Sequence, residues 1–191
     1  KNPEAPFKTS TLLITASSKY GLSNERTTKS AQNLYESGLI SYPRPDSVHS
    51  APEAITALRE YLLNKKYELP ASPIIYSDRS DAIQGAHEAI RPTDLNKLPE
   101  KMFLPEDDLK IYRLIWERFV ASQMKPAIFD TVDVILESSI GHHILKSSGK
   151  TLSESGWLAI SSDLLKVEKK DATLPVLELN EILNLISPKV K

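Results

Sequence analysis

The chain of 191 residues contains no cysteine. This absence excludes a disulfide framework and a zinc site built on thiolates within these residues, and it is compatible with an intracellular protein. No apolar run reaches the roughly 20 residues of a membrane-spanning helix, and no signal segment opens the sequence, so we expect a cytoplasmic location. The net charge is only −1, so the composition as a whole gives no argument for a nucleic-acid partner.

Hydrophobic residues make up 40% of the chain, which is enough for one large domain or two small ones with real cores. We expect two domains, over residues 1–127 and 128–191, because the pattern changes from helical to alternating after Pro126. The sequence opens Lys-Asn-Pro without an initiator methionine, and we interpret it as a piece of a longer polypeptide.

The first part of the chain predicts two helices joined by a short turn. Thr9 or Ser10 is expected to cap a helix over residues 10–20 that Gly21 ends. Ser23 is expected to cap a second helix that continues to about residue 37 and stops at Gly38. This pair, followed by a strand, resembles the helix-turn-helix arrangement of winged-helix DNA binders.

Two further helices are predicted downstream. Ser50-Ala51-Pro52-Glu53 reads as a capping box with proline in the first turn, at the start of a helix over residues 51–65. Residues 106–124 have the longest helical pattern, and the proline-rich stretch between the two helices predicts an ordered surface crossing. The residues expected to face the core are Leu12, Leu13, Ala16, Ala31, Leu34, Tyr35, Ile55, Leu58, Leu62, Leu109, Tyr112, Ile115, Trp116, Phe119 and Val120.

The last third of the chain alternates between apolar and polar residues, which predicts antiparallel β structure. The expected strands include residues 131–136, 143–146, 158–160, 176–179 and 182–186. The fold class is therefore α+β. His142 and His143 are adjacent, so on a strand they would face opposite ways and make a poor pair of metal ligands.

Between the second and third helices, a short apolar strand runs into a turn that holds Tyr42 and Arg44. Pro43 and Pro45 each bias the preceding residue toward extended geometry, so the two side chains should project from the same side. A phenol, with a reference pKa of about 10, becomes a useful nucleophile when a nearby cation favours the phenolate. An arginine beside a phosphate is such a cation, although a tyrosine that closes a strand more often only packs its ring.

The sequence L-Y-E-S-G-L-I-S-Y-P-R-P-D-S at residues 34–47 resembles the active-site segment of type IA DNA topoisomerases, usually L-Y-E-x-G-x-I-T-Y-x-R-T-D-S. Three more stretches agree in order and spacing: A-P-F-K-T-S-T-L at residues 5–12, A-H-E-A-I-R-P-T at 86–93 and L-I-W-E-R-F-V-A-S-Q-M at 114–124. The sequences of the last two stretches resemble the bacterial topoisomerase I branch more than the topoisomerase III branch.

The resemblance implies a fold and an activity. The fold is a mostly helical domain with the tyrosine, over residues 1–127, inserted into a β-rich arch domain to which residues 128–191 would belong. The activity is cleavage and rejoining of single-stranded DNA through a 5′-phosphotyrosine bond, which relaxes negative supercoils in the nucleoid. In this family Mg²⁺ binds an acidic cluster in a separate Toprim domain, and no D-x-D-x-E arrangement occurs in this chain. We therefore expect no metal within these residues and no activity from this piece alone.

The resemblance also implies roles for individual residues. Tyr42 would be the nucleophile, and Arg44 would stabilise charge on the phosphate, unless it is only a surface partner of Asp46. His87 would contact the phosphate, or else be an ordinary loop histidine. The remaining candidates are supporting ones: Asp46 to orient the arginine, Glu36 as the acidic residue before the strand, Arg91 on another phosphate or paired with Glu88, and Ser41 in place of the usual threonine.

Pro45 departs from the family pattern, because it replaces a threonine and so removes a hydroxyl and an N–H donor near the phosphate. A different interpretation also stays open: the helix pair could be a non-catalytic helix-turn-helix DNA-binding module whose tyrosine has no covalent role.

Overall fold

The computed structural model describes residues 1–77, 88–139, 141, 143–160, 174–175 and 177–184, and within these ranges the fold is α+β, as predicted. Its helices are α1 (Thr9–Tyr20), α2 (Asn24–Glu36), α3 (Pro52–Asn64) and α4 (Glu106–Ala121). Strands β1 (Ile128–Glu137) and β2 (Ile144–Glu154) form an antiparallel hairpin, and short 3₁₀ helices lie at Pro99–Lys101 and Gly156–Ile160.

The predicted helix pair is confirmed, with one correction to its capping. Gly21 ends α1 in the left-handed region, at φ 65°, and Ser23 caps α2 by accepting from the N–H of Arg26 at 3.3 Å. The N-cap residue, directly before the first helical residue of α1, is Lys8 instead of Thr9 or Ser10. The Thr11 hydroxyl accepts from the Lys8 N–H at 3.1 Å, so a threonine inside the first turn performs the capping.

The capping box predicted for α3 is wrong. The residue before the helix is Ala51, and no side chain caps the first turn. Ser50 is buried instead, and its hydroxyl has no hydrogen-bond partner among the described residues. Pro52 opens the helix as predicted, and the expected core residues Ile55, Leu58 and Leu62 are buried.

Helix α4 is the centre of the core. It packs against α1, α2 and both 3₁₀ helices, and it ends at Ala121, three residues before the predicted end at Met124. Trp116 is structural: its indole N–H donates to the Leu95 carbonyl at 3.2 Å, and Tyr61 of α3 meets its ring edge-on. Leu109, predicted to lie in the core, is only half-buried, whereas Asp108 is buried.

Tyr112 of α4 is fully buried, and its hydroxyl donates to the Lys97 carbonyl at 2.7 Å. Burial, with a smaller effect of the Asp94 carboxylate, raises the pKa of Tyr112 to about 12. A tyrosine in the unfolded chain ionises near pH 10. The stability that this difference contributes is therefore fully present below pH 10 and is lost as the pH rises from about 10 to about 12.

We expect the free energy of unfolding of the wild type to fall between pH 9 and pH 11 by about 1 kcal/mol more than that of a Tyr112→Phe variant. Urea unfolding of both proteins at the two pH values measures this difference. Tyr76, whose pKa burial also raises to about 12, is present in both proteins and cancels in the comparison. Equal losses in the two proteins would mean that the Tyr112 phenol titrates normally in the folded state.

The described part of the stretch between α3 and α4 is an ordered surface crossing, as predicted. The Gln123 side chain accepts from the Ile74 N–H at 3.0 Å and donates to the Ile74 carbonyl at 2.8 Å. The Tyr76 hydroxyl donates to the Ser122 carbonyl at 3.1 Å. These bonds fasten the extended segment to the end of α4.

The β region only partly follows the prediction. The hairpin includes residues 131–136 and most of 143–146, but the predicted strand at residues 158–160 is wrong, because they lie in the 3₁₀ helix. Trp157 and Leu158 are buried there, and a side chain at Gly156 would lie 2.2 Å from the Pro126 carbonyl oxygen. The described residues among 174–184 form no strand, and the rest of the predicted strands at 176–179 and 182–186 lies outside the described residues.

The first residue of the chain lies beside the end of the helical part. The Ala127 N–H donates to the Lys1 carbonyl at 2.9 Å, and the Trp157 indole donates to the same oxygen at 3.0 Å. Lys1 and Ala127 are therefore adjacent in space, and the division into two domains at residue 127 stays a prediction. None of the helices described here is long and apolar enough to cross a membrane.

Candidate active site

The turn that holds Tyr42 begins where α2 ends. Gly38 takes φ 67°, a left-handed conformation that turns the chain away from the helix. Ile40 then pairs with Pro92 in an isolated antiparallel bridge, so the strand predicted before Tyr42 is only a single bridge. The Thr93 N–H donates to the Leu39 carbonyl at 3.1 Å, which extends the pairing in one direction.

Ser41 fastens the turn to the segment that follows His87. Its hydroxyl donates to the Ala89 carbonyl at 3.0 Å and accepts from the Arg91 N–H at 3.0 Å. Its own N–H donates to the Arg91 carbonyl at 2.8 Å. The hydroxyl therefore positions the backbone beside Tyr42, which is a structural basis for a hydroxyl-bearing residue here. His87 itself lies outside the described residues.

The exposure of the turn alternates, as the two prolines predicted. Pro43 and Pro45 are buried, whereas Tyr42, Arg44 and Asp46 are exposed. The Pro45 carbonyl accepts from the Thr9 N–H at 3.1 Å, which ties the turn to the start of α1. Tyr42 is 46% exposed, and Arg44, two residues later, is exposed as well.

Tyr35, predicted to face the core, lies at the surface beside Tyr42 instead. It is 42% exposed, and the two rings meet edge to face with centroids 6.0 Å apart and planes at 85°. This geometry is a favourable one for an aromatic pair. The amphipathic tyrosine is thus part of the candidate site, where its ring limits the positions that the Tyr42 ring can take.

Arg44 is oriented by α2. Its guanidinium donates to Gln32 Oε1 at 3.3 Å, and Gln32 Nε2 donates to Glu36 Oε1 at 2.8 Å. Gln32 therefore links the candidate cation to the acidic residue at the end of the helix. Within the described part of the chain Arg44 and Asp46 form no ion pair, so the proposed orienting role of Asp46 stays a prediction.

Arg91 pairs with Glu88, the structural alternative left open above. Its Nε lies 2.8 Å from Glu88 Oε2 in an ion pair, and a second guanidinium nitrogen donates to the Pro92 carbonyl at 3.4 Å. A phosphate contact of Arg91 would have to share the guanidinium with this pair. Its role toward DNA stays a prediction.

The sequence pattern did not indicate Gln32 as a site residue, and it placed Tyr35 in the core instead of at the site. Gln32, Tyr35 and Glu36 lie at spacings of three and four on one face of α2, and that face is the one the tyrosine turn covers. A signal was available: the face is polar for a whole turn of the helix. No group of three histidine, aspartate or glutamate side chains that could hold a metal ion lies among the described residues, and Mg²⁺ bound elsewhere stays a prediction.

A family model described as DNA topoisomerase matches residues 1–191. The chain is 40% identical over 185 residues to DNA topoisomerase 1 of Pasteurella multocida, covering 95% of this chain and 21% of that protein. It is 41% identical over 168 residues to DNA topoisomerase 1 of Escherichia coli, covering 86% of this chain and 19% of that one. The chain thus spans about a fifth of the length of these curated relatives.

The fold is similar to that of full-length topoisomerase I from Thermotoga maritima, with a TM-score of 0.73 and 32% sequence identity. The match covers 93% of this chain and 29% of the solved chain. Because the family model spans every residue and the tyrosine turn lies open at the surface of a fold shared with that enzyme, the chain belongs to the DNA topoisomerase family.

Proposed function

We propose that this chain is the nucleophile-bearing part of a type IA DNA topoisomerase that relaxes negative supercoils by cleaving and rejoining single-stranded DNA. The observation that carries the proposal is that Tyr42 and Arg44, two residues apart, are both exposed on a turn that two buried prolines and several backbone hydrogen bonds hold in place. Preorganised geometry of this kind is what a transesterification needs from its nucleophile.

In the proposed reaction, the Tyr42 oxygen forms a bond to a backbone phosphorus of DNA as the bond from that phosphorus to the 3′ oxygen breaks. The phenolic proton is given up and the leaving 3′ oxygen gains one, so the step is balanced. One phosphate ester replaces another, which lets the reverse step rejoin the strand without ATP. Bound outside this chain, Mg²⁺ would help to neutralise the phosphates.

Arg44 stabilises the charge that builds on the nonbridging phosphate oxygens. Its bond to Gln32 uses one guanidinium nitrogen of an exposed side chain, and the other N–H donors make no hydrogen bond to a described residue, so a phosphate could approach them. Glu36 accepts a hydrogen bond from the Gln32 amide, so Arg44, Gln32 and Glu36 form one hydrogen-bonded chain. His87, two residues before Ala89 at the start of the segment bonded to Ser41, is proposed to donate to the same phosphate.

The first test of the proposal asks whether the isolated chain can relax supercoiled DNA. Because the metal-binding acidic cluster is assigned to another part of the polypeptide, we expect these 191 residues alone to bind single-stranded DNA weakly and to relax no supercoiled plasmid. A gel relaxation assay with magnesium, with the longer polypeptide as positive control, measures this. Robust relaxation by the isolated chain would contradict the proposed division of labour.

A further inference from the structure

An open groove of about 520 Å³ runs along the outer face of α2 and ends at Arg44. The groove therefore continues the candidate active site away from Tyr42 along the helix, toward the α2 N-terminus at Asn24.

Lys29 lines this groove, is exposed, and forms no ion pair with a described residue. Glu25 lies four residues earlier, at the spacing where such pairs commonly form, yet the two do not pair. The other cation of α2 behaves differently: Arg26 binds Asp107 through two hydrogen bonds of 2.8 Å each. The charge of Lys29 is thus left available within the groove.

Lys29 and Gln32 are three residues apart on α2, which corresponds to about 4.5 Å along the helix axis. Since Arg44 reaches Gln32, the ammonium and the guanidinium belong to one continuous surface. Thr28 and Asn33 add uncharged hydrogen-bonding groups to the wall between them. Glu25 and Glu36 also line the groove, and Glu36 is engaged by the Gln32 amide.

Resting on the proposed function, we infer that Lys29 binds a backbone phosphate of single-stranded DNA next to the linkage that Tyr42 attacks. Lysine contacts phosphate as a point charge, and such contacts position a strand without reading its sequence. A cation one step along the groove from Arg44 would hold the neighbouring part of the strand and so place the reacting phosphate.

The test measures binding of a fluorescent single-stranded oligonucleotide to the longer polypeptide over a series of salt concentrations. Lys29→Gln, which keeps length and polarity but removes the charge, is expected to weaken binding about fivefold at low salt and to reduce the slope of log K against log salt by about 0.7. Lys101→Gln, at an exposed position outside the groove, is the matched control and should change neither value.

A second measurement identifies the phosphate. Each phosphate of the oligonucleotide is replaced in turn by a neutral methylphosphonate. At one position near the cleavage site, this replacement should weaken binding to the wild type but should not weaken binding to Lys29→Gln any further. Additive losses at every position, or an unchanged slope for Lys29→Gln, would overturn the inference while the proposed function stands. A wild-type polypeptide that forms no covalent adduct with DNA would overturn both.

Discussion

Tyr42→Phe is expected to abolish the covalent protein–DNA adduct of the longer polypeptide while leaving its affinity for single-stranded DNA close to that of the wild type. The substitution removes one oxygen atom and keeps the ring that packs against Tyr35 at 6.0 Å. Phenylalanine cannot form the bond to phosphorus, so the loss of adduct should be complete instead of partial. Fold and binding surface should persist, because the ring is about half exposed and the substitution keeps its contact with Tyr35.

The experiment traps the adduct by denaturing the protein during turnover and detecting labelled DNA that migrates with it. Tyr35→Phe is the matched control, because it makes the same chemical change on the neighbouring ring and should still form the adduct. Binding is measured separately by fluorescence anisotropy.

This pair of variants also separates the two functional interpretations. A non-catalytic helix-turn-helix module would bind DNA through α1 and α2 without forming an adduct in either wild type or variant. An adduct that persists in Tyr42→Phe would assign the nucleophile to another residue and contradict the proposed mechanism.

Local signals predicted most of the helical fold. Gly21 and Ser23 define the link between α1 and α2 because their effects, a left-handed turn and a side-chain cap, need no distant partner. The same holds for the alternation of the tyrosine turn, which the two prolines impose on their immediate neighbours. In each case the physical cause lies within a few residues of its effect.

The errors come from contacts that are distant in sequence. Residues 158–160 alternate like a strand, yet they lie in a 3₁₀ helix whose Trp157 and Leu158 are buried and whose Trp157 N–H donates to the distant Lys125 carbonyl at 3.0 Å. Ser50 is a residue type that commonly caps helices, but its side chain is buried and does not cap α3. Tyr35 has the spacing of a core residue, and only the position of the tyrosine turn shows that its ring belongs to the surface.

The candidate site shows the same limit. The shared exposure of Tyr42 and Arg44 could be predicted because the two residues are two positions apart, but Gln32, which orients the guanidinium, is twelve residues away on another element. The link from Gln32 to Glu36 follows from helix spacing once the face is known. Which face of α2 is turned toward Arg44 is a tertiary fact that the motif does not contain.

The second large effect is expected at Arg44. Replacing it by alanine should slow adduct formation about 10²–10³-fold, or about 3–4 kcal/mol in the activation free energy, because a preorganised charge opposite the developing phosphate charge is lost. Arg44→Lys should recover only part of the rate, since an ammonium keeps the charge but not the planar fork of N–H donors.

Single-turnover cleavage at saturating DNA measures this effect and separates it from weaker binding. Arg59→Ala is the control, since that arginine is bonded to the Pro70 carbonyl at 2.8 Å and lies outside the candidate site. Gln32→Ala tests the orientation directly: the charge stays, but the bond at 3.3 Å that aims it is lost, and the rate should fall by less than in Arg44→Ala. If Arg44→Ala cleaved within about threefold of the wild type, the guanidinium would be only a surface group, and the charge stabilisation would have to come from His87 or from outside the chain.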